Sequence, residues 1–391
     1  MTLGATVPAR ASATPDKDTI RVMVVDDSVV VRGLVSRWLA AIPGIEVVAS
    51  HRNGLLAVND VAKSLPDVVV LDIEMPEMDG LTAMPKMLAI KPDLKIIMAS
   101  TLTRRNAETS LRAMTLGAAD YVPKPETNSG VTTSEEFRRE LSDKVVAIGR
   151  AAKAQVAEKP SVVRPAAAPA PAVDQAPASP AAPADVGKPI TLRKINSGKP
   201  RILVIGSSTG GPQALFEVTK SCVSAISGVP VVITQHMPPT FTAILSEHIA
   251  KSCGAPCKEA EDGEVLLPGH IYVAPGGKHL TLVKGAKGIC AQLDDGPPVN
   301  FCKPAVDPMF ESACKLFGSS TLAVILTGMG SDGRNGATCI ADAGGNVIAQ
   351  DRETSVVWGM PGAAAEAGAC CAVLPLPQIG PRIVRALSGV A

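Results

Sequence analysis

The residues best suited to chemistry stand where apolar runs end. Arg201-Ile-Leu-Val-Ile-Gly206-Ser207-Ser208-Thr209-Gly210-Gly211-Pro212 begins as a β-branched run that reads as a buried parallel strand. It passes into glycines and hydroxyls, then into a helix opened by Pro212. Ser208 has glycines two residues away on either side, formally Gly-x-Ser-x-Gly. Such a turn can lift a hydroxyl above a sheet and offer it the unpaired N–H groups of the next helix. Three readings are open for this stretch alone: a nucleophilic serine, a phosphate- or dinucleotide-binding loop, and an ordinary glycine-rich turn. The strict Gly-x-Gly-x-x-Gly is absent, and no lysine follows the glycines as a P-loop needs.

Two further strand ends supply partners. Val229 to Thr234 is a buried run ending at Gln235-His236-Met237-Pro238-Pro239, which holds His236 rigidly over the same edge as Ser208. Thr321 to Leu326 is another, followed by Thr327-Gly328-Met329-Gly330-Ser331-Asp332-Gly333. Asp332 alone suits a helix N-cap equally well. Together Ser208, His236 and Asp332 offer a nucleophile, a base and an orienting acid, in an order unlike the Ser…Asp…His of α/β-hydrolases but recognisable by role. An oxyanion would meet backbone N–H groups near Thr209 or Met329, where helix-end dipoles and glycines favour negative charge. His51, His248, His270 and His279 read as surface or structural residues, the last two flanking an expected hairpin over 271–277.

The first part of the chain carries a second set. Strands are expected at Ile20–Val25, Ile45–Ala49, Asp67–Leu71, Leu94–Ala99 and Ala119–Val122, with helical patterns between them. That rhythm is a doubly wound α/β domain, whose ligands gather beyond the carboxyl ends of the strands. Asp26, Asp27 and Asp72 would converge there, joined by Ser100 and Lys124. Three carboxylates in one cleft repel unless a hard cation binds, and oxygen ligands suit Mg²⁺. A metal-held carboxylate can attack a phosphoryl donor, with Lys124 and Ser100 reading the product.

Val25-Asp26-Asp27-Ser28, the stretch Leu71-Asp72 through Asp79-Gly80, and Tyr121-Val-Pro-Lys124-Pro125 resemble a two-component receiver domain over about 20–145. The resemblance implies Asp72 as phospho-acceptor, Asp26 and Asp27 as Mg²⁺ ligands with it, and Lys124 with Ser100 as phosphoryl sensors, Ser100 being preferred to the adjacent Thr101 for its position directly after the strand. Residues 199–391 resemble chemotaxis protein-glutamate methylesterases (CheB type). The motifs are Gly206 to Pro212, Thr234-Gln-His236-Met-Pro, Glu259-Ala-Glu-Asp262-Gly-Glu, Tyr272-Val-Ala-Pro-Gly, Asp295 to Asn300 and Leu326 to Gly333. Ser207 stands where many members have alanine, a small-for-small change. The family implies hydrolysis of glutamate γ-methyl esters on the cytoplasmic helices of methylated chemoreceptors, and deamidation of receptor glutamines. It implies a chemotaxis histidine kinase as phosphoryl donor, a cytoplasmic location, no cofactor for the hydrolysis, and a receiver that inhibits by lying across the active-site edge.

Composition agrees with two α/β domains. The chain of 391 residues is 46% hydrophobic with a formal net charge of +1, which makes no electrostatic case for nucleic acid. Aromatics at 3% leave little for base stacking. No run of eighteen apolar residues would insert in a membrane. All nine cysteines lie from Cys222 onward, with spacings unlike a metal site, and read as free thiols. Between Pro160 and Pro189 there are eight prolines and ten alanines, a segment that cannot bury enough to fold. The expected division is a tail (1–19), a flavodoxin-like receiver (20–145), a linker (146–198) and a mostly parallel α/β catalytic domain (199–391). On the residues alone, a dinucleotide-binding oxidoreductase and a non-catalytic, receiver-gated binding module remain alternatives.

Overall fold

The computed structural model of the chain describes residues 18–101, 103–125, 134–158 and 190–389. Most of the expected tail (1–17) and much of the expected linker (159–189) lie outside the described residues.

The N-terminal sheet is built from β1 (Ile20–Val25), β2 (Ile45–His51), β3 (Val68–Asp72), β4 (Lys95–Thr101) and β5 (Asp120–Lys124). All pairs are parallel, in the order β2-β1-β3-β4-β5. The connecting helices are α1 (Val29–Ala40), α2 (Gly54–Ser64), α3 (Gly80–Ile90) and α4 (Arg104–Thr115). They start on Ser28, Asn53, Asp79 and Thr103, and each of these side chains accepts an N–H of the first turn. The last receiver helix, expected over Glu135 to Lys153, is α5 (Glu135–Glu158) and crosses the domain boundary placed at 145. Its apolar stripe explains this: Phe137, Leu141, Val145, Ile148 and Ala152 recur at helical spacing and are all buried.

The second sheet has seven strands: β6 (Ile202–Ser207), β7 (Val231–Gln235), β8 (Cys257–Glu259), β9 (Ile271–Val273), β12 (Thr321–Ile325), β13 (Asn346–Gln350) and β14 (Ala372–Leu374). It too is parallel, in the order β14-β13-β12-β6-β7-β9-β8. It is flanked by α6 (Gly211–Cys222), α7 (Phe241–Cys253), α8 (Val306–Phe317), α9 (Arg334–Asp342), α10 (Met360–Glu366) and α11 (Leu376–Ser388). The chain winds outward from β6 in one direction through β7 and in the other through β12, so the topological switch point lies where Ser208 emerges.

The hairpin expected over 271–277 is one step later. Ile271–Val273 is buried throughout and extends the sheet, whereas β10 (His279–Gly285) pairs antiparallel with β11 (Gly288–Asp294). Residues at the end of the expected linker are held on the second sheet. Arg193 N–H donates to Cys370 O (2.9 Å), and Asn196 and Asn346 exchange two bonds (2.9 and 2.8 Å).

The two domains touch. The Tyr121 ring near the start of β5 stacks on Phe241 at the start of α7, with centroids 4.5 Å apart. Arg104 on α4 pairs with Glu247 on α7 at 2.8 Å. Gln155 on α5 donates to the carbonyls of Ser355 (3.1 Å) and Glu353 (3.3 Å).

Candidate active site

β6, β7 and β12 are neighbours; Ser208 and His236 directly follow β6 and β7, and the loop after β12 carries Asp332. Ser208 follows β6, and its N–H donates to Thr327 O at 3.0 Å, tying the turn to the end of β12. Gly210 has φ +76°, and a Cβ there would lie 2.5 Å from Val356 Cγ2. A Cβ at Gly211 would fall 2.0 Å from Gln235 Oε1. These glycines serve internal packing, not the approach of a phosphate, which disfavours the dinucleotide reading of the turn. Gly328 has the same use on the β12 side, where a Cβ would come within 2.9 Å of Ser208 Cβ.

His236 follows β7, and its Nε2 lies 2.7 Å from Asp332 Oδ2. Asp332 is 2% exposed and accepts from four further donors. They are Val306 N–H (2.6 Å), Gly333 N–H (2.9 Å), Asn300 Nδ2 (3.0 Å) and Asp307 N–H (3.2 Å). The Gly333 bond resembles the helix-cap use considered from sequence, but the rest aim the first turn of α8 and a loop amide at the carboxylate. Burial opposes ionisation of Asp332, yet bonds from His236, Val306 and Asn300 outweigh it and hold the carboxyl below its usual range. Burial likewise disfavours the imidazolium of His236, but Asp332 and Cys302 outweigh it and push the ring up to about 10.

With Nε2 on Asp332, the nitrogen left for a serine is Nδ1. There the structure places Cys302 Sγ at 3.3 Å. Ser208 is half-buried, and its Oγ has no hydrogen-bond partner among the described residues. Neither Thr209 nor Met329 uses its backbone N–H in a hydrogen bond among the described residues, and Thr209 Oγ1 is buried without a partner. The two expected oxyanion donors thus lie on the loops that Gly210 and Gly328 bring together.

Gln235, read from sequence only as the end of a strand, ties the Ser208 and His236 backbones together. Its Nε2 donates to Ser208 O (2.9 Å) and His236 O (3.1 Å), and its Oε1 accepts from Ser207 Oγ (2.7 Å). Ser207 is fully buried, so its hydroxyl has a structural use that the small-for-small comparison missed. Asn300 was legible as part of a motif but without a role. Cys302 carried no signal, because nothing local links residue 302 to residue 236.

The receiver pocket assembles as its strand ends imply. Asp26 and Asp72 are buried and Asp27 is exposed, and carboxylate oxygens of the three lie within 4.8 Å of one another. This all-oxygen set fits a hard divalent cation such as Mg²⁺. Lys124 Nζ bridges Asp72 Oδ1 (2.5 Å) and Asp26 Oδ2 (3.1 Å). Burial pushes Asp72 up to about 6, Lys124 pulling against it and Asp26 adding to it. Ser100 stands at the end of β4, but its Oγ is bonded to Ser110 Oγ (2.8 Å), not to Asp72.

Comparison with known proteins agrees with both halves. Residues 203–383 match the CheB methylesterase family model and residues 22–134 match the response regulator receiver domain. A protein-glutamate methylesterase/protein-glutamine glutaminase of Rhodopseudomonas palustris is 55% identical over 384 residues, covering 97% of each chain. One of Nitrobacter hamburgensis is 55% identical over 373 residues, covering 95% of each. The crystal structure of the Thermotoga maritima CheB methylesterase catalytic domain is 41% identical, covers 48% of this chain and 99% of its own, and superposes with a TM-score of 0.46. With receiver and catalytic domains joined in one chain and such identity over nearly its whole length, the protein belongs to the family of receiver-linked CheB methylesterases.

Proposed function

We propose that the chain hydrolyses glutamate γ-methyl esters on the cytoplasmic helices of chemoreceptors and deamidates receptor glutamines, under control of phosphorylation at Asp72. The observation that carries this reading is the His236–Asp332 pair at 2.7 Å, set beside the serine turn at the switch point of a parallel sheet. Ser208 Oγ attacks the ester carbonyl as His236 Nδ1 takes its proton. Asp332 keeps Nε2 protonated and stabilises the imidazolium that forms. The N–H groups of Thr209 and Met329 receive the oxyanion. On collapse, the proton on Nδ1 leaves with methanol, and water then releases the acyl group by the same steps. With a glutamine substrate, ammonia leaves instead.

In the receiver, Asp26, Asp27 and Asp72 would hold Mg²⁺, which supplies charge neutralisation for transfer of a phosphoryl group from a chemotaxis histidine kinase. Asp72 accepts the group, Lys124 stays beside it as counter-charge, and Ser100 exchanges Ser110 for a phosphoryl oxygen. Among the described residues, no helix is long and apolar enough to cross a membrane. The test is methanol release from methylated receptor membranes by the wild type and Ser208→Ala. Release by the wild type and none above background by the variant is expected, and equal release by both would overturn the reading.

A further inference from the structure

The loop after the hairpin holds a residue that the serine mechanism leaves unexplained. Val299 and Cys302 exchange backbone hydrogen bonds (3.1 and 2.9 Å), closing a two-residue turn on Asn300 and Phe301. Both turn residues are left-handed, with φ of 50° and 63°, a conformation that non-glycine residues adopt at a cost. The strained turn places Asn300 and Cys302 on the same histidine–aspartate pair. Asn300 Nδ2 donates to Asp332 Oδ1 at 3.0 Å, and Cys302 Sγ lies 3.3 Å from His236 Nδ1. The nitrogen that must serve Ser208 is therefore taken by a thiol, while the serine hydroxyl has no partner among the described residues.

We propose that Cys302 is a positioning residue for the ester hydrolysis: its thiol is the resting-state partner of His236 Nδ1 and competes with Ser208 for it. This rests on the Ser208–His236–Asp332 reading and goes beyond it. While the ring is charged, Nδ1–H donates to the thiol sulfur; once the ring is neutral, Nδ1 accepts the S–H while Nε2–H points to Asp332, the tautomer the reaction requires. A thiol is a weak donor, so the serine hydroxyl can displace it when substrate enters. The thiol thus holds the ring ready between turnovers at the expense of some turnover rate.

The rank order of two substitutions in the full chain separates this competition from simple packing. Cys302→Ser puts a stronger donor on Nδ1 and should lower kcat about fivefold with KM within about twofold. Cys302→Ala removes the competitor and should raise kcat about twofold or more. A packing role gives the opposite order, with the near-isosteric serine closer to wild type. An independent readout is the rate of carbamidomethylation by iodoacetamide, followed by peptide mass spectrometry. Cys302 should be alkylated more slowly in His236→Gln than in the wild type, with Cys253 in the same samples unchanged. Alanine slower than serine, or a Cys302 labelling rate indifferent to His236→Gln, would overturn the inference. Ser208→Ala is assayed alongside. If it is inactive while the cysteine order fails, only this inference falls; if it is active, the serine reading falls and takes this inference with it.

Discussion

At the scale of single residues, the proposed mechanism makes Ser208, His236 and Asp332 one unit, so removing any of them should cost nearly the whole effect. Ser208→Ala and His236→Ala should each lower methanol release about a thousandfold or more, with Asp332→Asn the mildest. The thermal midpoints of Ser208→Ala and His236→Ala should stay within a few degrees of wild type, because four donors still satisfy Asp332 when the imidazole is gone. Activity above about a tenth in two of the three would exclude the unit. The ionisation of His236 makes a separate prediction. A ring raised to about 10 carries its proton at neutral pH, so the basic form accumulates as pH rises and kcat should climb with it. Asp332→Asn removes the carboxylate that stabilises the imidazolium, which moves this limb to lower pH while reducing its height. A pH–rate profile of kcat for both proteins reads the shift, and a limb in the same place would contradict it.

At the scale of elements, the strand ends are held in register by polar side chains as well as by the sheet. Ser207→Ala would leave Gln235 Oε1 buried without a donor and loosen the amide that grips Ser208 O and His236 O. The expected loss is about 1–3 kcal/mol of stability, read by denaturant titration, together with a fall in kcat. Unchanged stability would mean that the amide finds another partner. The receiver strand ends make a metal prediction. Mg²⁺ should raise the thermal midpoint of the receiver, and Asp27→Asn should weaken that response, since the carboxylates of Asp26, Asp27 and Asp72 share one site. The catalytic segment is expected to keep hydrolysing ester in excess chelator. Loss of hydrolysis there would argue for a metallohydrolase.

At the scale of the molecule, the receiver rests on the catalytic domain through Tyr121 on Phe241, Arg104 on Glu247 and Gln155 on the 353–355 loop. That loop runs into Val356, which packs at Gly210 in the serine turn. We read this as the inhibited arrangement, kept closed by the high effective concentration of tethered domains. Tenfold activation then needs only about 1.4 kcal/mol of bias against it, well within the reach of a new phosphoryl charge. A fragment of residues 190–391, which keeps the Arg193 and Asn196 bonds, should outpace the unphosphorylated full chain. Tyr121→Ala combined with Arg104→Glu should raise basal activity in the full chain, and Asp72→Ala should abolish stimulation by a small phosphodonor. A fragment slower than the full chain would mean that the receiver assists catalysis instead of restraining it.

Much of this was written into the sequence because the decisive signals are local. Parallel strands read as apolar runs, and each run ended on the polar residue that the sheet then carried to its edge, as at Asp72, Ser208 and His236. Short runs were harder. Ile271–Val273 has too few residues to show whether it pairs antiparallel or parallel, and only its neighbours β7 and β8 decided the matter. The helix over Glu135 to Lys153 was legible, but the domain boundary at 145 fell inside α5, whose apolar stripe continues past it. What the tertiary structure alone decided was the set of contacts between residues far apart in the chain. Gln235 across two strand ends, the first turn of α8 on Asp332, Cys302 on His236 and Tyr121 on Phe241 have no spacing to betray them. Periodicity tells which face a residue occupies; only folding in three dimensions tells which side chain waits on the other side.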